Sequence, residues 1–143
     1  MKKVIIAIAF ALFAFVNCYA DMTAEETIAS TLWLEARGEG KEGIKAVASV
    51  IANRSKKSGK TMAYECLKEK QFSCWNGRAR VVPSKAKGKM WDYCKSVARD
   101  MVRGNFKPTI KATHYYNFHI CNPKWGAKMR NTIIIGNHRF GLA

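Results

Sequence analysis

The chain has 143 residues, of which 48% are hydrophobic, and its formal net charge is +15. This length suits one domain with a real hydrophobic core and excludes a second domain, and we find no internal repeat or low-complexity linker. All ten acidic residues lie at or before Asp100, whereas residues 101–143 carry seven lysines and arginines. Such a surface attracts polyanions, and nucleic acid is the usual candidate.

Residues 1–20 have the pattern of a secretory signal peptide. Lys2 and Lys3 precede an apolar run at 4–16, and the segment ends at Cys18-Tyr19-Ala20 before a mature start at Asp21. The run of 13 residues is short for a membrane span, which needs about 20. Two alternatives stay open: lipidation at Cys18, or an uncleaved signal anchor with transient membrane contact. Either way we expect export to the periplasm or beyond, where nucleic acid is not the partner.

The cysteine count predicts disulfides. Removal of residues 1–20 leaves four cysteines, an even set that in an exported domain indicates up to two disulfides. Three pairings are possible and stay open, and four reduced, buried thiols are the alternative. The four are Cys66, Cys74, Cys94 and Cys121.

Two helices joined by a short glycine loop open the domain. Thr23 and Glu26 form a capping-box pattern for a helix at about 24–37. Gly38 and its neighbours end it, and apolar residues at helical spacing predict a second helix at about 41–54.

The rest of the chain predicts more helix and then a small β-ribbon. A short helix is expected at 61–68 and a long one at about 85–103, with an aromatic and amide-rich turn at 71–77 between them. β-formers at 113–118 and 132–140 predict the ribbon. The fold class is therefore α+β, mostly helical, in one domain at 21–143.

Glu35 is the first candidate for chemistry. It lies near the predicted end of the first helix, just before Gly38. A carboxylate at that place is held by a rigid element and faces the cleft made by the chain reversal, which suits a general acid. Most glutamates at helix ends are solvated, so the assignment depends on what surrounds Glu35.

Six short segments occur in order along the chain, at 35–39, 46–54, 71–76, 112–117, 123–125 and 135–140. Together they resemble the SleB-like cell wall hydrolases of bacteria and phages, the spore-cortex-lytic enzyme type. The resemblance spans about residues 25–142 and implies a lysozyme-like fold, close to lytic transglycosylases and goose-type lysozymes. It implies cleavage of the β-1,4 bond between N-acetylmuramic acid and N-acetylglucosamine in peptidoglycan glycan strands, with Glu35 as the catalytic residue. We expect a monomer that uses no cofactor or metal.

The chemistry leaves the attacking group open. A hydrolase usually needs a second carboxylate about 5–10 Å from the acid. A transglycosylase needs one acid, because the C6 hydroxyl of the sugar attacks and gives a 1,6-anhydro product. We favour the one-acid route, with Glu39 as the first candidate for a second carboxylate.

Aromatic and amide residues are expected to bind the sugars, since ring faces stack on sugar rings and amides bond to N-acetyl groups. A structural role, tying the ribbon to the helices, is the alternative for one tyrosine and for His138. The predicted substrate-binding residues are Glu39, Gln71, Phe72, Tyr115, Tyr116, Asn117, Asn137 and His138.

Three other functions remain as alternatives. A zinc amidase would take ligands from His114, His119, Cys121 and His138, although their spacing matches no compact zinc motif. A non-catalytic cationic wall-binding protein would explain the charge and the export. A Cys–His thiol hydrolase would need an activated thiolate.

Overall fold

The computed structural model describes residues 21–143, so the predicted signal peptide at 1–20 lies outside the described residues. Within them, no helix is both long and apolar enough to cross a membrane. Four helices come first, followed by a three-stranded sheet. The elements are α1 (Ala24–Ala36), α2 (Gly40–Ser58), α3 (Met62–Leu67), α4 (Gly88–Val102), β1 (His114–Asn117), β2 (Arg130–Ile135) and β3 (His138–Leu142).

Helix α1 is the centre of the helical layer. The predicted capping box is confirmed: the Glu26 N–H donates to Thr23 Oγ1 (3.1 Å), and the Thr23 N–H donates to Glu26 Oε2 (2.8 Å). Eight of the 13 residues of α1 are buried, so this helix packs on nearly all sides. The side chains on the last turn of α1 are therefore carried by a rigid backbone.

Helices α2 and α4 differ from prediction at one end each. Helix α2 continues to Ser58 and ends where Gly59 adopts a left-handed φ of 72°. Its last turn is polar and exposed, so no apolar periodicity marks it in the sequence. Lys56 and Lys57 stabilise this turn, because their positive charges interact favourably with the negative C-terminal end of the helix dipole. Helix α4 begins at Gly88, because the chain before it makes a turn in which the Ala86 N–H donates to the Pro83 carbonyl (2.9 Å).

The predicted ribbon is a three-stranded antiparallel sheet in the order β1-β3-β2. Tyr115 of β1 pairs with Phe140 of β3, and Asn117 pairs with His138. Phe140 is 1% exposed and belongs to the same core as the helices, so the sheet is packed onto them. The prediction of a mostly helical α+β fold is confirmed.

The structure does not confirm the predicted disulfides, because all four described cysteines are free thiols. Cys66 and Cys94 are fully buried, and burial raises the pKa of each to about 12. They behave as small apolar side chains of the core. Cys66 and Cys94 therefore match the alternative prediction of reduced, buried thiols.

Candidate active site

Glu35 lies on the last turn of α1, and both of its carboxylate oxygens accept a hydrogen bond from distant segments. The backbone N–H of Cys74 donates to Oε1 (3.1 Å), and the Tyr115 hydroxyl donates to Oε2 (2.5 Å). The side chain is therefore held from two sides while its residue stays partly exposed to the cleft. A reacting group needs this fixed orientation.

Tyr115 reaches Glu35 because the sheet orients it. Its ring stacks on Phe140 of β3 at 5.2 Å between centroids and meets the edge of His138 at 5.2 Å. Burial, followed by the negative charge of Glu35, raises the pKa of Tyr115 well above its usual value. The phenol therefore stays protonated and donates a hydrogen bond to the Glu35 carboxylate.

The opposite wall is a short 3-10 turn at Ser73–Trp75. The indole N–H of Trp75 donates to Thr31 Oγ1 (3.0 Å), and the Thr31 hydroxyl donates to the Thr27 carbonyl of its own helix (2.8 Å). This contact fixes the turn against α1 and aims the Cys74 N–H at Glu35. Burial, and then the neighbouring Glu35, raises the pKa of the Cys74 thiol, so no activated thiolate stands beside the acid.

Helix α2 holds the chain that leads into β1. Asn53 Nδ2 donates to the carbonyls of Ile110 and Ala112 (2.9 Å each), and Arg54 Nε donates to the Thr113 carbonyl (2.6 Å). Arg54 also lines the cleft, where burial lowers its pKa and its Nη1 has no hydrogen-bond partner. Neither Asn53 nor Arg54 was predicted to have a role, although both lie in a segment of the resemblance.

Glu39 is attached to the turn between β2 and β3. The Asn137 N–H donates to its Oε2 (2.8 Å), Asn137 Nδ2 donates to its Oε1 (3.1 Å), and His138 Nδ1 lies 3.7 Å from Oε1. The Glu39 side chain is 10% exposed. A Cβ on Gly136 would lie 1.8 Å from Oε2, so this contact requires glycine there. Glu39 and Asn137 are thus engaged with each other, and their contact with sugar stays a prediction.

A cleft of about 500 Å³ lies beside Glu35. Two predicted site residues are outside its lining: Phe72 is buried in the core at 2% exposure, and Asn137 points at Glu39. Trp125 is 42% exposed in the cleft and meets the Tyr116 ring edge-on at 5.6 Å, whereas the sequence offered no reason to separate it from core tryptophans. The predicted residues that do line the cleft are Glu35, Glu39, Gln71, Tyr115, Tyr116, Asn117 and His138.

The residues considered for zinc do not form a site. Within residues 21–143, no three histidine, cysteine or acidic side chains are grouped so that they could hold a metal ion. His114 packs against Trp125 at 5.6 Å and contacts the Thr113 hydroxyl, while His138 faces Glu39. The geometry gives the amidase alternative no support.

A family model described as Cell Wall Hydrolase matches residues 38–141. The chain belongs to this family. A cell wall hydrolase degrades peptidoglycan, so the chain is a peptidoglycan-degrading enzyme that acts at the bacterial cell wall, as predicted.

Two solved structures resemble this cell wall hydrolase. The catalytic domain of the germination-specific lytic transglycosylase SleB from Bacillus anthracis is 26% identical, with a TM-score of 0.63, over 82% of this chain and 93% of that one. The catalytic domain of the Bacillus cereus SleB protein gives the same identity and TM-score over 82% and 88%. No curated protein matches the chain. The predicted SleB-like family and the lysozyme-like fold are confirmed.

Proposed function

We propose that this cell wall hydrolase is a lytic transglycosylase that cleaves the β-1,4 bond between N-acetylmuramic acid and N-acetylglucosamine, with Glu35 as general acid and then general base. One observation carries the proposal. Two glutamates line the described cleft, and each has a hydrogen bond on both carboxylate oxygens. The donors to Glu35 come from the two opposite walls of the cleft and hold its carboxylate between them, whereas both donors to Glu39 belong to Asn137 of a single turn.

This arrangement supports the one-acid route, in which Glu35 serves first as the acid and then as the base. Protonated Glu35 gives its proton to the glycosidic oxygen, and the C1–O bond of the muramic acid breaks. The C6 hydroxyl of the same sugar attacks C1, and the Glu35 carboxylate accepts the hydroxyl proton. The products are a 1,6-anhydromuramic end and a free hydroxyl on the leaving sugar, so protons and bonds balance and Glu35 is again protonated.

The hydrogen bonds to Glu35 support its change of role. The Tyr115 hydroxyl and the Cys74 N–H donate to different oxygens of the Glu35 carboxylate. Donors that are already oriented stabilise the carboxylate as it forms, without reorganisation during the reaction. Tyr115 thereby acts as a positioning residue for the acid.

The remainder of the cleft suits a glycan strand. Trp125, which is 42% exposed, offers an aromatic face for a sugar ring, and the buried Tyr116 packs edge-on against it. Gln71 and Asn117 offer amides for N-acetyl and hydroxyl groups. We propose that the enzyme works as a monomer without a cofactor. Residues 1–20 would direct export to the periplasm or beyond, with transient membrane contact if they act as an anchor.

The test is mass spectrometry of the muropeptides that residues 21–143 release from purified peptidoglycan. We expect 1,6-anhydromuramic ends and a loss of roughly 10²- to 10⁴-fold in the Glu35→Gln variant, the usual contribution of a general acid. Glu42→Gln is the matched control, because Glu42 is an exposed residue of the first turn of α2.

Other products would contradict the proposal in distinct ways. Reducing muramic ends would mean that water attacks and would refute the transglycosylase step. Intact glycan with freed stem peptides would mean an amidase. Undiminished wall disruption by Glu35→Gln would point to a non-catalytic cationic protein.

A further inference from the structure

A second cavity, of about 530 Å³, lies next to the catalytic cleft. Lys70 lines both cavities, so they meet at this side chain. The segment at 70–77 separates them: Gln71 and Ser73 face the cleft, whereas Trp75 and Asn76 face the second cavity. We call this cavity the basic furrow; its lining includes the cations Lys68, Lys70 and Arg80 and the apolar Leu67, Phe72 and Trp75.

The furrow carries uncompensated positive charge. Its three cations are exposed residues, and none takes part in the ion pairs found in the described part of the chain. Glu69 is the acidic residue in the lining, which leaves an excess of cations. A concave surface with one sign of charge raises the local concentration of an oppositely charged ligand.

The furrow is also built on anchored chain. Trp75 is fixed to Thr31 through its indole N–H (3.0 Å), and Arg80 Nη2 donates to the Leu67 carbonyl (3.4 Å). Lys70 has a φ of 61°, a left-handed conformation that a lysine adopts at a cost of about 1–2 kcal/mol. Backbone strain of this kind is concentrated at functional sites, and here it puts a cation between the two cavities.

We infer that the basic furrow binds the anionic stem peptide that muramic acid carries in intact peptidoglycan. This inference rests on the proposed function, because a muramic acid in the cleft brings its peptide to the neighbouring cavity. A stem peptide carries both alanine methyl groups and free carboxylates along its length. The apolar floor suits the methyl groups, and the cationic rim suits the carboxylates. An anionic phosphate polymer would use the rim and leave the apolar floor without a function.

The furrow therefore determines specificity: it favours glycan that bears peptides over glycan from which an amidase has removed them. The test compares kcat/KM on these two substrates. The furrow variant combines Lys68→Gln and Arg80→Gln, and it leaves Lys70 unchanged because that residue also lines the catalytic cleft. The charge-matched control combines Lys85→Gln and Arg103→Gln at exposed positions outside the furrow.

We expect the furrow variant to lose about tenfold in kcat/KM on peptide-bearing glycan, because it removes two exposed charge contacts, and to match the wild type on stripped glycan. The control variant should match the wild type on both. Equal losses on both substrates, or equal losses in both variants, would mean general attraction to polyanions and would overturn the inference.

A direct binding measurement separates this inference from the proposed function. The isolated stem pentapeptide is titrated into the Glu35→Gln variant, and the NMR signal of the Trp75 indole N–H is followed. A saturable shift that the two furrow substitutions abolish supports the inference even if the wild type cleaves no glycan. An unchanged signal at millimolar peptide overturns it, whatever bond the enzyme cleaves.

Discussion

The substitution Gly136→Ala is expected to break the contact between Glu39 and the β2–β3 turn. The new Cβ would lie 1.8 Å from Glu39 Oε2, so the carboxylate must move and lose its two hydrogen bonds from Asn137. Each hydrogen bond to a charged group contributes about 1.5–3 kcal/mol. The left-handed φ of 58° at Gly136 adds about 1–2 kcal/mol for any residue with a Cβ.

Because Glu39 regains some solvation when it moves, we expect Gly136→Ala to lower the free energy of unfolding by about 3–5 kcal/mol. The assay is urea unfolding of four proteins: wild type, Gly136→Ala, Glu39→Ala and the double variant. Without the Glu39 carboxylate, the nearest remaining atom is its Cβ at 3.7 Å, an ordinary contact.

The double-mutant cycle isolates the contact from the backbone strain. In the Glu39→Ala background, Gly136→Ala should cost only the conformational term of about 1–2 kcal/mol. A cost that is the same in both backgrounds would refute the reasoning, since it would mean that Glu39 is not held by the turn. A cost below about 1 kcal/mol in the wild-type background would refute it as well.

Two further predictions concern Tyr115 and the buried thiol of Cys66. Tyr115→Phe keeps the ring on Phe140 but removes the donor to Glu35 Oε2, so kcat for muropeptide release should fall roughly 10- to 100-fold with little change in KM; a fall below threefold would count against the positioning role. Burial raises the pKa of Cys66 to about 12, so its thiol stays protonated in the folded protein while the unfolded chain ionises above about pH 9. The free energy of unfolding should therefore decline between pH 9 and pH 12. Urea unfolding at pH 8 and pH 10.5 should show a smaller decline for Cys66→Ala than for the wild type. An equal decline in the two proteins would contradict the assignment.

Local signals were enough to predict the helices. The capping box at Thr23 and Glu26 and the glycines after Glu35 act within a few residues, so the start and end of α1 could be read from the sequence. The last turn of α2 could not, because residues up to Ser58 carry no apolar period. Periodicity reports the face that a helix buries, and an exposed final turn buries none.

The site was predictable only in part, because its contacts span long stretches of chain. Glu35 and Tyr115 were both singled out, yet the hydrogen bond between them joins residues 80 positions apart. The attachment of Glu39 to Asn137 spans 98 positions and depends on the left-handed turn at Gly136. Phe72 was expected in the groove, but an aromatic residue has the same sequence signal whether it packs into the core or stacks on a ligand.

The two walls of the cleft differ in how easily they can open. Glu35 belongs to α1, which is buried over most of its length. The amide hydrogens of this helix should therefore exchange with solvent only through global unfolding. The Ser73–Trp75 turn has no buried residue and is attached to α1 through the Trp75 indole and the Cys74 N–H. Exchange there should occur through small local openings. The catalytic acid thus belongs to the wall that opens rarely, whereas one of its two hydrogen-bond donors belongs to the wall that opens more often.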